Sequence, residues 1–281
     1  LPTAVAAGLV PTRAKAGARA NDKRETSGPM PGDWTFYLAA APAVALLGLS
    51  KGGFTGLSTL AMPILALAIS PVKAAAIVLP ILIVQDWVSV WAFRRDFSAR
   101  NLAILIPGAL IGIAAGWLLA ARVDEAAVRL AVGLISIGFV VFMLARDRLV
   151  GDAAAPANVA PGVFWGALGG FTSFISHAGG PPLMVYVMPQ RLSPRVFAGT
   201  LTMFFAAVNL LKIPPYFLLG QFSRANLAAS ATLFPLAIAA NVAGVWLVRR
   251  VSADRFYNAV LILTFLIGVK LSYDGLWEML A

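Results

Sequence analysis

The 281-residue chain has no cysteine and a single histidine, His177. The first absence excludes disulfides and thiolate metal ligands, and the second leaves no histidine cluster for a metal. Charge is scarce as well: Asp, Glu, Lys and Arg make up 12% of the residues, against roughly 25% in a soluble domain. Acidic residues are the scarcest, 12 against 22 Lys and Arg. No phosphate-binding loop of the Gly-Lys-Ser/Thr type occurs, so the chain carries no ATPase motif of its own. These absences exclude disulfides and thiolate metal sites, and the low charge content is not that of a soluble domain.

What is present is apolar. Hydrophobic residues make up 60% of the chain, and the mean hydropathy is +0.84. Apolar stretches run near 33–50, 54–70, 72–93, 101–121, 128–145, 160–177, 180–189, 195–219, 226–248 and 255–277. Several approach the ~20 residues a helix needs to cross a bilayer. They are too long for barrel strands, which need about 10 alternating residues. The expected fold is an all-α polytopic membrane protein of about ten helical segments, with the lipid bilayer as its first partner.

The net charge of +10 is concentrated in loops and is no nucleic-acid signal. Arg94, Arg95 and Arg100 fall in one loop, Arg146 and Arg148 in a second, Arg191 and Arg195 in a third, and Arg249, Arg250 and Arg255 in a fourth. If these loops share the cytoplasmic side, both termini lie outside, in the periplasm of a Gram-negative host. Residues 1–32 hold Arg13, Lys15, Arg19, Lys23 and Arg24 and no apolar run able to span. They are expected to be a disordered basic tail or a non-native remnant.

The halves 33–148 and 161–277, joined by a linker at 149–160, resemble each other. Asp96-Phe97-Ser98-Ala99-Arg100-Asn101-Leu102 parallels Gln221-Phe222-Ser223-Arg224-Ala225-Asn226-Leu227, and Ser70-Pro71 parallels Ser193-Pro194. Trp117-Leu118 likewise parallels Trp246-Leu247. The loop at 94–100 is strongly basic but its counterpart at 220–226 is not, and the same reversal holds for 249–255 and 122–129. Opposite charge bias in equivalent loops, with about five segments per half, implies two inverted-topology repeats.

Each half carries a Gly-broken apolar segment. The first reads Ser50-Lys51-Gly52-Gly53-Phe54-Thr55-Gly56 and the second Ser173-Phe174-Ile175-Ser176-His177-Ala178-Gly179-Gly180-Pro181-Pro182. Broken backbone inside a bilayer needs protein or a wet cavity to satisfy its polar groups. Paired breaks mark a transporter's substrate site. The stretch 181–189 is too short to span, about 14 Å of helix. Residues 160–189 therefore read as two half-helices in a hairpin near the midplane, and 33–70 reads similarly, except that each arm there is long enough to span.

With these residues the chain resembles the TauE/SafE sulfite exporter family over roughly 34–277. The residues carrying the resemblance are Gly48-Leu49-Ser50-Lys51-Gly52-Gly53-Phe54 with Pro63, and Ser176-His177-Ala178-Gly179-Gly180-Pro181-Pro182. The family moves sulfite, sulfonates and related small organic anions. The resemblance implies a transporter in the bacterial cytoplasmic (inner) membrane with a small anionic substrate and no cofactor.

The residues themselves suggest how an anion would be held. Helix N-termini carry unpaired N–H groups and partial positive charge, and Gly52, Gly53, Gly179 and Gly180 let an oxyanion approach the backbone. Lys51 can neutralise the anion, against the alternative that it snorkels to the interface. His177 can bind an anion or carry a coupled proton, and Ser50, Thr55, Ser58, Ser173 and Ser176 offer hydroxyls. Asp86, beside Gln85, can relay a proton or pair with Lys51 or Lys212. By the repeat register its counterpart is Asn209. Pro107, Pro214, Pro215 and Pro235 are expected to kink helices. Ser50 and Lys51 point about 100° apart on a helix, a poor dyad, so no catalytic residue is assigned. The expectation is a secondary transporter for sulfite or a sulfonate, possible proton coupling included, with a passive anion channel and an intramembrane enzyme as the alternatives.

Overall fold

The computed structural model describes residues 34–51, 57–120, 124–149, 154–247 and 254–280. The tail 1–32, together with Gly52, Gly53 and Thr55, lies outside the described residues. Among the described residues the chain is helical and has no strand. The first half contains α1 (Trp34–Lys51), α2 (Ser58–Ala68), α3 (Pro71–Phe93), α4 (Ala99–Ala120) and α5 (Glu125–Leu149). The second contains α6 (Val159–Ser176), α7 (Gly180–Val187) with a 3-10 turn at Met188–Gln190, α8 (Pro194–Leu211), α9 (Ile213–Leu218), α10 (Arg224–Leu247) and α11 (Asp254–Leu280).

Seven of these segments are long and apolar enough to cross a membrane: α1, α3, α4, α5 through Ala145, α6, Pro194–Leu218, and α10 through Gly244. Their outer faces carry the exposed side chains of Trp87, Trp91, Leu144, Phe164 and Phe217, while Gln85, Asp86, Asn209 and Lys212 are buried. Apolar outside and polar inside is the arrangement lipid demands. The chain is a multi-pass membrane protein.

The hairpin arms differ from two half-helices. The first arms, α1 and α6, are each 18 residues, about 27 Å at 1.5 Å per residue, enough to span. Only the second arms are short, α2 with 11 residues and α7 with 8. No proline interrupts 162–176, and α6 runs through its glycines to Ser176, with His177 as its C-cap. There the chain turns in the left-handed conformation, φ 52° and ψ 20°, a helix-ending geometry that usually takes glycine. Pro107 and Pro235 lie inside continuous helices. Pro214 and Pro215 interrupt 194–218 at Lys212 and open α9, because neither can donate to the preceding turn.

Matching residues of the two halves make matching local structure. Ser70 and Ser193 each cap a helix with Pro at its first position, accepting from Lys73 N at 3.3 Å and Val196 N at 3.5 Å. Ser98 and Ser223 accept from Asn101 N at 3.3 Å and Asn226 N at 3.1 Å. Packing matches as well. α4 of the first half lies against α6 of the second, and α10 of the second lies against α1 of the first. α5 pairs with α11, and α3 with α8.

Small residues let these helices meet closely, as membrane interfaces require. A Cβ on Gly112 of α4 would overlap the Ala167 carbonyl of α6, and one on Gly244 of α10 would lie 2.8 Å from the Leu49 Cα of α1. These contacts fix α1 and α6, the helices that end at Lys51 and Ser176.

Candidate functional site

Residues flanking the two breaks line one cavity of about 90 Å³, well above the ~10–15 Å³ a single water needs. Among the described residues its walls come from the end of α1 (Leu47, Ser50, Lys51), the start of α2 (Ser58, Thr59), Leu82 of α3 and Phe139 of α5. The second half supplies Ser173 and His177 from the end of α6, Gly180 and Met184 from α7, and Ala198, Leu201, Thr202, Phe205 and Asn209 from α8. The first residues of both short helices thus face the same space.

Two polar clusters adjoin it. In the first, the Lys51 ammonium pairs with Asp86 Oδ1, and Asn209 Nδ2 donates to Asp86 Oδ2 at 2.6 Å. Lys51 Nζ also lies 5.8 Å from the Phe205 ring centroid, within reach of a cation–π contact. The pair is largely withdrawn from solvent, with side-chain exposures of 13% and 6%. Lys51 and Asn209 line the cavity, and Asp86 stands behind them.

In the second cluster, Lys212 is fully buried. Its Nζ lies 3.1 Å from the Ser173 carbonyl, 3.1 Å from Ser173 Oγ and 2.7 Å from His177 Nδ1. His177 Nε2 lies 2.9 Å from the Ala75 carbonyl. A carbonyl only accepts, so Nε2 carries the ring hydrogen and Nδ1 offers its lone pair to Lys212. Both ring nitrogens are therefore occupied by protein. Left-handed backbone costs a non-glycine residue of order 1 kcal/mol, and these two bonds hold His177 there.

The expected site residues divide on this geometry. Lys51, Ser50, His177, Gly180 and Asn209 meet at the cavity. Ser176 does not: it is buried, and its hydroxyl donates back to Thr172 O at 3.2 Å, the usual habit of a serine within a helix. Gly179 is packed against the Gly169 carbonyl and Phe205. Gln85 faces α10, where its Nε2 donates to Ala237 O at 3.3 Å. The N-terminus of α7 offers fewer donors than a typical helix, because Pro181 and Pro182 lack N–H groups. Gly48-Leu49-Ser50-Lys51-Gly52 spells the Gly-x-Ser-x-Gly of hydrolases. Here it ends a membrane helix instead of joining a strand to a helix, so the elbow geometry is missing.

Residues 40–271 match the family described as sulfite exporter TauE/SafE. The chain belongs to the TauE/SafE family. No curated protein and no solved structure matches it. TauE/SafE membership implies a membrane transporter of sulfur anions, and the matched span contains both breaks and every wall of the cavity. Thr202, Phe205 and Phe139 are wall residues of this TauE/SafE protein that sequence reasoning passed over. Thr202 and Phe205 stand seven and four residues before Asn209 on one face of α8, so helical periodicity from Asn209 was the available signal.

Proposed function

We propose that this protein is a secondary transporter that moves sulfite or a small organic sulfonate across the bacterial cytoplasmic membrane by alternating access, with the shared cavity as its substrate site. The observation that carries the reading is that residues flanking both breaks line one cavity, which bears the Lys51 ammonium. The Lys51 ammonium at the cavity wall complements a monoanion. The Ser50, Ser58 and Thr202 hydroxyls supply donors for oxyanion oxygens. Gly52 and Gly53 belong to the site on sequence grounds, as does Thr55.

The matched caps and reciprocal packing support two repeats of inverted topology. In this reading the pairs α4–α6 and α1–α10 move against the α3–α8 contact and expose the cavity to either side in turn. Proteoliposome flux of sulfite, sulfoacetate, taurine, sulfate and a carboxylate analogue tests the assignment. Saturable flux of the sulfur anions, with counterflow stimulated by unlabelled anion on the far side, is expected. Flux that rises linearly with concentration without counterflow would identify a channel, and chemical change of the anion would identify an enzyme.

A further inference from the structure

Lys51 and Asn209 are the cavity's cation and its amide donor, and both are turned onto the same carboxylate. Lys51 takes Asp86 Oδ1, and Asn209 Nδ2 takes Oδ2 at 2.6 Å. Asp86 is 4% exposed and stands outside the cavity wall. Two oxygens of one anion, held by an ammonium and an amide, are the contacts a bound sulfite or sulfonate would make from the cavity side.

We propose that Asp86 is a tethered competitor for the substrate: its carboxylate occupies Lys51 and Asn209 in the empty site, and an entering anion displaces it from Lys51 as one proton neutralises it. This rests on the reading of the cavity as an anion site. A carboxylate stripped of its ammonium partner inside a membrane protein is costly as an anion, and protonation removes that cost. The exchange balances in charge. Before it, Lys51 is matched by Asp86. After it, Lys51 is matched by the substrate, and Asp86 carries the proton taken from solvent. Each monoanion therefore enters with one proton, a stoichiometry that moves no net charge.

The other titratable groups around Asp86 are few. α1 brings Lys51, Lys212 follows α8, and His177 follows α6. α2 carries none. On α10 the only one is Arg224, at its first residue, seventeen positions before Asn241, which packs on α3. On α5, Arg129 is paired with Glu278 of α11. Lys212 and His177 bond to each other and to Ser173, and Lys212 reaches Asp86 only through its Coulombic field.

The test is sulfite affinity of the purified full chain, wild type and Asp86→Asn, between pH 5.5 and 8.5. The ratio of the two affinities cancels any ionisation of sulfite itself. Asp86→Asn should bind more tightly than wild type, and the advantage should grow with pH, approaching tenfold per unit for a linkage of one proton. Weaker binding by Asp86→Asn at every pH, or a ratio that does not change with pH, would overturn the competitor while leaving the anion site standing. Absence of sulfite binding by wild type at any pH would overturn the anion site itself. If Asp86→Asn does not fold, calorimetry of wild type in two buffers of different ionisation enthalpy decides the matter. Uptake of one proton per anion, after subtracting that of sulfite, supports the exchange, and uptake of none overturns it.

Discussion

Replacing Lys51 by Met removes the ammonium and keeps most of the side chain's length. Asp86 would then keep only the Asn209 amide, at 2.6 Å, in a site where its side chain is 6% exposed. Removing one member of a buried ion pair costs about 3–5 kcal/mol, much of it from the charge left behind. The Lys51 side chain is 13% exposed, which points to the lower end of that range. Adding Asp86→Asn removes the orphan charge and leaves two neutral amides side by side, so the double variant should recover most of the lost stability. Binding should respond differently. Both Lys51→Met and the double variant lack the cation that balances the anion, and both should lose sulfite affinity a hundredfold or more, about 2.8 kcal/mol at 1.4 kcal/mol per tenfold. Stability is read by equilibrium unfolding in denaturant, and affinity by calorimetry on the same preparations. Near-wild-type affinity in the double variant would show that Lys51 serves only Asp86, and the anion site built on it would be withdrawn.

Three further outcomes follow from the geometry. A Cβ on Gly180 meets nothing within 4 Å, so Gly180→Val should fold normally but narrow the cavity. Flux of sulfoacetate should fall more than flux of sulfite, and equal loss for both would argue against Gly180 as a wall. His177→Gln should leave the pH dependence of binding intact, because both ring nitrogens are already engaged by Lys212 and the Ala75 carbonyl; a flattened affinity–pH profile would show instead that the imidazole titrates with substrate. Because the chain has no cysteine, single Arg95→Cys and Ala225→Cys variants can be labelled cleanly. An impermeant thiol reagent should reach them from opposite sides of the membrane, and labelling from one side would refute the inverted repeat.

The spans were legible because hydropathy and length decide them, and Ser70-Pro71 with Ser193-Pro194, and Ser98 with Ser223, were legible as matching positions, while their role as caps came from the structure. The breaks were legible because glycines and a cation inside an apolar run have few explanations. The full length of α6 was misjudged, since the sequence around 160–176 does not reveal that its glycines pack against α4 while the helix continues. Ser176 and Gly179 could not be separated from Ser50 and Gly180 without knowing which way each faces. The partners of Lys212 were hidden for a related reason. Ser173 lies 39 positions away and His177 lies 35, and only the fold, which sets the residue after α8 against the end of α6, brings them together. Asp86 had two candidate lysines in the sequence, and the structure pairs it with Lys51.

The most direct measurement is saturable sulfite flux in proteoliposomes, comparing wild type with the stable Lys51→Met, Asp86→Asn double variant at equal, verified insertion. Wild type should carry sulfite with saturation and the double variant should carry none above protein-free vesicles. Equal flux from the two proteins, or no sulfite flux from wild type, would contradict a sulfur-anion site centred on Lys51.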